Sequence, residues 1–412
     1  MGNHSITIIG AGPAGATASL FLAKEKIPHT IIDKAFFPRD KVCGDALSGK
    51  VLPILKKINP TFLEEIANDK ETVLGSFGIK FAAPNGKSID IPFKSVTSKV
   101  AYAPGFISKR IDFDNFLISK IDKQYAEFLQ GTELIDFIQK GNGIELRVNC
   151  NGEEKMISSK LVICCDGDRS VIAKKAGGKI VEDKHYCGGI RAYYKNVSGM
   201  HEQNYVELHF IKELLPGYFW IFPLPNGMTN VGAGMLSESL SKKKVNLREA
   251  MLKAIAENAT IKNRFANAEL VGKIVGWGLP LGSKKRKISG ERFMLCGDAA
   301  SLIDPFTGEG ISNAMYCGMV AAETAKESLN QNRFDSEFLK KYDENIYNRL
   351  WSELKLSHTL QKLCNYPRLF NFVVNKAERN QTFRETISCM FDDLDLREKL
   401  RKPSFYFKLL FD

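Results

Sequence analysis

The chain has 412 residues, of which 44% are hydrophobic and 25% charged, a balance that excludes an intrinsically disordered chain and provides for more than one domain. The formal net charge of +11 favours anionic partners, but the basic residues are scattered. They cluster only at Lys242–Lys244 and Lys284–Lys287, with no basic stripe interleaved with aromatics, so nucleic acid is excluded as a partner.

Residues 5–9 form a β-branched run, followed by the glycine turn GAGPAG, an Ala/Leu-rich helical stretch and a second apolar run at His29–Lys34. That order, strand–turn–helix–strand within about 30 residues, predicts a βαβ unit. The unit also accounts for the uncharged stretch Ile6–Ala23. A signal or membrane segment is a poorer explanation, because no basic n-region precedes it and its glycines and prolines sit where a nucleotide loop needs them. Ile6 excludes Met1–Gly2 as a myristoylation signal. From Thr72 to Phe93, alternating runs around Pro84–Lys87 predict a hairpin. Arg110–Phe128 is helical in period, and Lys160–Gly167 predicts a buried parallel strand returning to the first sheet. Between Tyr186 and Gly278, β-rich runs surround one helix over Asn246–Asn258, which predicts a second, mostly antiparallel sheet. Glu291–Ala300 supplies another buried strand, a long helix follows Gly310, and the chain from about Phe334 onward is helical.

The expected fold class is therefore α/β: a discontinuous Rossmann-type domain (1–71, 100–182 and 279–330), a second, mostly antiparallel substrate domain (72–99 and 183–278) and a helical C-terminal region (331–412). Nine cysteines, an odd number with no C-x-x-C spacing, argue against a disulfide framework or zinc site. They point to a reducing compartment and a cytoplasmic protein. Six dispersed histidines lack ligand spacing, so no metal site is expected.

The sharpest local signal is Gly10-x-Gly12-x-x-Gly15, with Pro13 and Ala14 between the last two glycines. Gly10 permits the tight turn, Gly12 lets backbone approach a pyrophosphate, and Gly15 allows close helix contact. The helix N-terminus then offers free N–H groups to the phosphates. Asp33, followed by Lys34, ends the second strand where a carboxylate can bind ribose hydroxyls. This fingerprint does not separate FAD from NAD.

Two further segments, Cys165–Ser170 with Asp166 and Gly167, and Gly297-Asp298 followed by Asp304–Gly310, complete a set. With the opening turn, they resemble the three nucleotide motifs of the para-hydroxybenzoate-hydroxylase-like flavoprotein superfamily. The resemblance implies FAD as cofactor, Asp298 on the ribityl chain, and Arg110 in contact with the cofactor. It also implies that the loop through Pro305, Gly308 and Gly310 aims the helix beginning at Ile311 toward the flavin N1 and C2 carbonyl. Within that superfamily, Phe37–Ser48, carrying Arg39, Lys41, Cys43 and Gly44, resembles the Lys-x-Cys-Gly segment beside the isoalloxazine in geranylgeranyl reductases. Pro216–Pro223 resembles their Tyr-x-Trp-x-Phe-Pro signature. The likeness covers roughly residues 5–330; Asp45 departs from it, standing where a second glycine is expected.

Tyr218, Trp220 and Phe222 alternate onto one strand face and are expected to wall an apolar tunnel over the flavin, with Trp220 and Phe222 as substrate pocket. The resemblance implies hydride transfer from reduced flavin to C=C bonds of a prenyl or similar apolar lipid substrate. Cys43 and Tyr218 are the candidate catalytic proton donors. With no second G-x-G-x-x-G, electrons are expected from transiently docked NAD(P)H or a reduced redox protein. The alternative enzyme is a monooxygenase or halogenase acting through a flavin C4a-hydroperoxide, since Tyr218–Pro223 is also close to the halogenase Trp-x-Trp-x-Ile-Pro signature. A third expectation is a non-catalytic flavoprotein at a membrane face, where the aromatic tail Pro403–Phe411 suits peripheral contact. The sequence carries no signal for oligomeric state.

Overall fold

The structure is a computed structural model that describes residues 4–93, 102–178 and 181–377; the aromatic tail falls outside them. Its first sheet has six strands in the order Ser289–Gly290, Phe293–Leu295, Leu161–Cys164, Ile6–Ile9, His29–Asp33, Ala126–Gln130. All neighbours are parallel except the terminal Ser289–Gly290 pairing. Parallel strands are covered on both faces, which explains why Ile6–Ile9 and Leu161–Cys164 are buried throughout and read as unbroken apolar runs. The helix Pro13–Lys24 leaves the glycine turn with proline at its start, where a missing N–H costs nothing. It lies against the long helix Ile311–Gln331 so closely that a β-carbon on Gly318 would sit 2.2 Å from the Ala14 carbonyl oxygen.

The second sheet has seven strands, ordered Glu269–Pro280, Tyr186–Lys195, Met228–Leu236, Tyr218–Pro223, Val206–His209, Gly78–Ala82, Ser88–Pro92. Only Val206–His209 and Gly78–Ala82 run parallel. The expected hairpin about Pro84–Lys87 joins the last two strands. Val73–Ser76, expected to belong with it, pairs instead with Gly105–Ser108 beside Ala46–Leu47. The helix expected over Asn246–Asn258 spans Leu247–Glu257, capped by the Asn246 side chain, and a short helix, Ser237–Lys243, precedes it.

Two parts of the first domain differ from the sequence expectation. The helix from Arg110 ends at Ser119, not Phe128, and Ala126–Gln130 is an edge strand paired with His29–Asp33. A short apolar run fits either period, and strand pairing decided this one. The sequence also singled out nothing between residues 132 and 159, where Thr132–Lys140, Gly143–Cys150 and Glu153–Ser159 form an antiparallel ribbon. Its signal was present in Asn151-Gly152, both at positive φ in the hairpin turn.

The C-terminal helices bind the two cores together. Early in Ser336–Leu363, Leu339, Tyr342 and Ile346 join the core of the first sheet. Later, Leu356 and Leu360, with Phe370 from Pro367–Ala377, join Phe81, Phe210 and Phe306 under the second. No helix among the described residues is long and apolar enough to cross a membrane.

Candidate active site

A cavity of about 630 Å³ opens at the C-terminal ends of the parallel strands and is closed on the far side by the second sheet. Gly10 holds φ at +91°, and a β-carbon there would lie 2.4 Å from the Cys165 carbonyl oxygen; one on Gly15 would lie 1.8 Å from that of Gly10. Only glycine passes this turn. A β-carbon on Gly12 would meet just the Arg39 side chain, at 3.6 Å, so the cavity reaches the backbone there. Asp33 accepts hydrogen bonds from the Ala11 and Ala35 amides at 2.8 and 2.9 Å, fixing its carboxylate beside the turn.

Two other loops converge on the same space. Gly167 and Gly297, both at positive φ, bring up Asp166 and Asp298. The Lys41 ammonium lies 4.0 Å from the Asp298 carboxylate and 4.2 Å from the centre of the Trp277 ring. Burial holds its pKa below the usual lysine range, against the pull of Asp298. In the third loop, Asp304 Oδ1 accepts from the Phe306 and Thr307 amides and the Thr307 hydroxyl, while Oδ2 accepts from Ser357 at 2.5 Å. That buried carboxyl therefore shapes the turn to Gly308 and ties it to a C-terminal helix. The helix Ile311–Gln331 starts at the cavity edge, its first turn partly capped by Glu309, which accepts from the Ser312 amide.

Arg110 donates two hydrogen bonds to Asp114, at 2.7 and 2.8 Å, and Arg39 a third at 2.7 Å, so two guanidiniums share one buried carboxylate. Burial pushes the Cys43 thiol up, with Arg110 opposing, so the thiol keeps its proton at neutral pH.

The second sheet supplies the floor, and its register places side chains in three rows. Trp277, Gly189, Gly234 and Tyr218 form one; Arg191, Gly232, Trp220 and Leu208 the next; Tyr193, Asn230 and Phe222 the third. The sequence-derived wall is thus assembled: Tyr218, Trp220 and Phe222 all line the cavity. The Tyr218 hydroxyl donates to the Thr307 carbonyl at 2.5 Å, so its proton is directed at the third loop. Gly44 lets the Cys43 loop rest on Phe222, where a β-carbon would be 2.9 Å from the ring.

Of the residues expected from sequence, Gly10, Gly12, Pro13, Ala14, Asp33, Lys34, Arg39, Lys41, Cys43, Gly44, Arg110, Asp166, Gly167, Gly297, Asp298, Gly308, Gly310 and Ile311 also line this one cavity. Gly15 and Pro305 do not. Gly15 sits behind the turn, and the Pro305 carbonyl accepts from Gln361 at 2.8 Å. Sequence reasoning assigned no role to Arg191, Tyr193, Asn230 or Trp277, because nothing local marks a floor residue as facing a site.

Three glycine-bearing loops and two helix N-termini opening on one elongated cavity fit FAD, whose pyrophosphate, ribityl chain and ring need an anion cradle, a carboxylate and an open slot in turn. A parallel nucleotide sheet faced by an antiparallel floor across that cavity defines an FAD-dependent oxidoreductase. The chain belongs to the FAD binding domain family, whose model matches residues 3–352. A digeranylgeranylglycerophospholipid reductase of Methanococcus vannielii is 29% identical over 369 residues, covering 88% of this chain and 87% of the relative. A menaquinone reductase of Mycolicibacterium smegmatis is 27% identical over 324 residues, covering 77% and 75%. Among solved structures, a geranylgeranyl bacteriochlorophyll reductase-like protein from Thermoplasma acidophilum superposes with TM-score 0.78 at 24% identity, covering 90% of each chain. The flavin-dependent brominase Bmp2 superposes with TM-score 0.79 at 21% identity, covering 98% of each. At those identities the structural likenesses establish the shared fold.

Proposed function

We propose that this chain reduces carbon–carbon double bonds in the prenyl chain of a lipid. The observation that carries the reading is the apolar lining of the cavity, to which Phe93, Phe106, Val206, Leu208, Trp220 and Phe222 all contribute. That surface suits a long apolar chain and excludes water from the reacting bond. FAD, once bound and reduced, supplies the electron pair and one hydrogen. An isolated alkene is poorly polarised, so the protein's tasks are to hold it against the cofactor and deliver a proton to the second carbon. Cys43 is the better placed acid of the two candidates, since its thiol stays protonated beside the loop while the Tyr218 proton is engaged by Thr307.

In this reading residues 1–71, 100–182 and 279–330 hold the cofactor, 72–99 and 183–278 the substrate, and the C-terminal helices brace both. Lys34, Arg39, Lys41 and Arg169 line the polar end of the cavity and favour an anionic electron donor, NAD(P)H or an acidic redox protein. The names of the two curated relatives support the reading, and the overall charge of +11 suits a substrate presented at an anionic membrane face.

The test is anaerobic incubation of the FAD-loaded protein, reduced with dithionite, with a digeranylgeranylglycerol phospholipid in detergent micelles. Mass spectrometry is expected to find two hydrogens gained per double bond. An unchanged lipid, together with oxygen- and halide-dependent modification of an aromatic acceptor, would overturn the reading in favour of oxygen chemistry.

A further inference from the structure

Asp45 lies where the cofactor loops meet the floor. It is fully buried, and its backbone sits at φ +67°, in the left-handed region. Glycine enters that region freely, whereas a residue with a β-carbon loses about 1 kcal/mol, so the side chain must offset a backbone cost. Its carboxylate gathers three donors from three parts of the chain. Oδ1 accepts from the Arg110 amide at 3.2 Å, and Oδ2 accepts from the Tyr193 hydroxyl at 2.8 Å and from Asn230 Nδ2 at 2.7 Å. Asn230 also donates to the Cys43 carbonyl at 2.8 Å and accepts from Trp220 Nε1 at 2.8 Å.

We propose that Asp45 is a positioning residue for substrate: as a carboxylate it holds, through Asn230, the Trp220 indole and the Cys43 carbonyl in the geometry that receives the apolar chain. The substrate part of this inference rests on the prenyl-reductase reading above. Asn230 spends both its amide hydrogens and its oxygen on this clamp. Protonation of Asp45 removes the charge that strengthens the bond from Asn230 and adds a hydrogen that competes for the same oxygens, so the hold on the indole and the carbonyl weakens together.

The charged and titratable groups facing Asp45 come from every side. Tyr193 and Arg191 face it from the floor, Arg191 pairing with Asp40 at 2.8 Å and stacking 4.1 Å above the Tyr193 ring. Lys109 lies 5.2 Å from that ring. Arg110, paired with Asp114, faces it from the helix, and Cys43 and Lys41 belong to its own loop. Burial lifts the Asp45 carboxyl to about 6, opposed by Asn230, Tyr193, Arg191 and the Arg110 amide. The clamp is therefore tightest above about pH 6 and loosens as pH falls through it.

The experiment titrates the FAD-loaded protein between about pH 5 and 8 while recording tryptophan emission and flavin absorbance. The wild type is expected to show a one-proton transition near 6, and Asp45→Asn and Asp45→Gly to lack it. Asp45→Gly relieves the left-handed backbone, so it separates loss of the carboxylate from misfolding. Tyr193→Phe, which removes one donor from the carboxylate, is expected to raise the midpoint by about half to one pH unit. With dithionite as reductant and the digeranylgeranylglycerol phospholipid as probe, Asp45→Gly is expected to raise KM about tenfold at neutral pH with kcat within about twofold. A transition that survives in both Asp45 variants, an unmoved midpoint in Tyr193→Phe, or a wild-type KM in Asp45→Gly overturns the proposal. The spectroscopic arm needs no lipid. A wild type that shows the transition but leaves the phospholipid untouched therefore sinks the prenyl-reductase reading and leaves the carboxylate clamp standing.

Discussion

At its nucleotide end the cavity presents backbone, and at its floor it presents side chains. The first is made of turns at Gly10, Gly167, Gly297 and Gly308, each at positive φ, backed by amides fixed through Asp33 and Asp304. The second is made of Tyr218, Trp220, Phe222 and Asn230 on a regular antiparallel sheet. A backbone surface has no rotamer by which to yield, so a single added carbon is felt at full strength. A side-chain surface can repack, at a cost graded by the volume and hydrogen bonds lost. The glycine turns thus tolerate no added atom, whereas the floor tolerates graded change.

That contrast can be broken most directly at Gly15. Gly15→Ala drives a β-carbon into the Gly10 carbonyl oxygen, and the purified protein is expected to carry essentially no flavin, read as the visible absorbance per chain. Next in size is Arg110→Met. It strips Asp114 of two of its three charged hydrogen bonds and leaves a fully buried carboxylate poorly compensated. A loss of about 3–5 kcal/mol in denaturant unfolding, with weakened FAD retention, is expected; a change below about 1 kcal/mol would mean that Arg39 alone suffices.

On the floor the effects should be smaller and of another kind. Trp220→Leu removes the indole wall and its bond to Asn230; flavin content should hold while KM for the prenyl probe rises about tenfold. A flavin-free Trp220→Leu protein would show that floor and nucleotide end are not separable. The smallest effect is expected for Tyr218→Phe. Its hydroxyl ties floor to loop through Thr307, so about 1 kcal/mol of stability and less than about fivefold in turnover should be lost. A fall of a hundredfold or more would return Tyr218 to the role of acid, and an unaffected Cys43→Ala would remove Cys43 from it.

The same contrast explains which features were legible in the sequence. The glycine turns, the buried parallel strands at Ile6–Ile9 and Leu161–Cys164 and the helix after Gly310 were legible because each is dictated by neighbours in sequence. Positive φ demands glycine, burial on both faces demands unbroken apolar residues, and a phosphate cradle demands a free helix N-terminus. The end of the helix at Ser119 and the ribbon between residues 132 and 159 were not, because strand partners, rather than local period, decided them.

By itself, then, the sequence determined the glycine turn at Gly10 and the strand ending in Asp33, and it placed three aromatics on one strand face; the flavoprotein resemblance singled out Asp298 and Gly308, which line the same cavity. Only the tertiary structure decided what those aromatics stand on. Asp45, Arg110, Tyr193 and Asn230 are separated by up to 185 residues along the chain, yet they meet within hydrogen-bonding distance around a single carboxylate. A cluster drawn from one loop, one helix and two strands leaves no periodic or spacing signal in a linear sequence. It exists only once the register of the floor and the approach of the Cys43 loop have been set by packing.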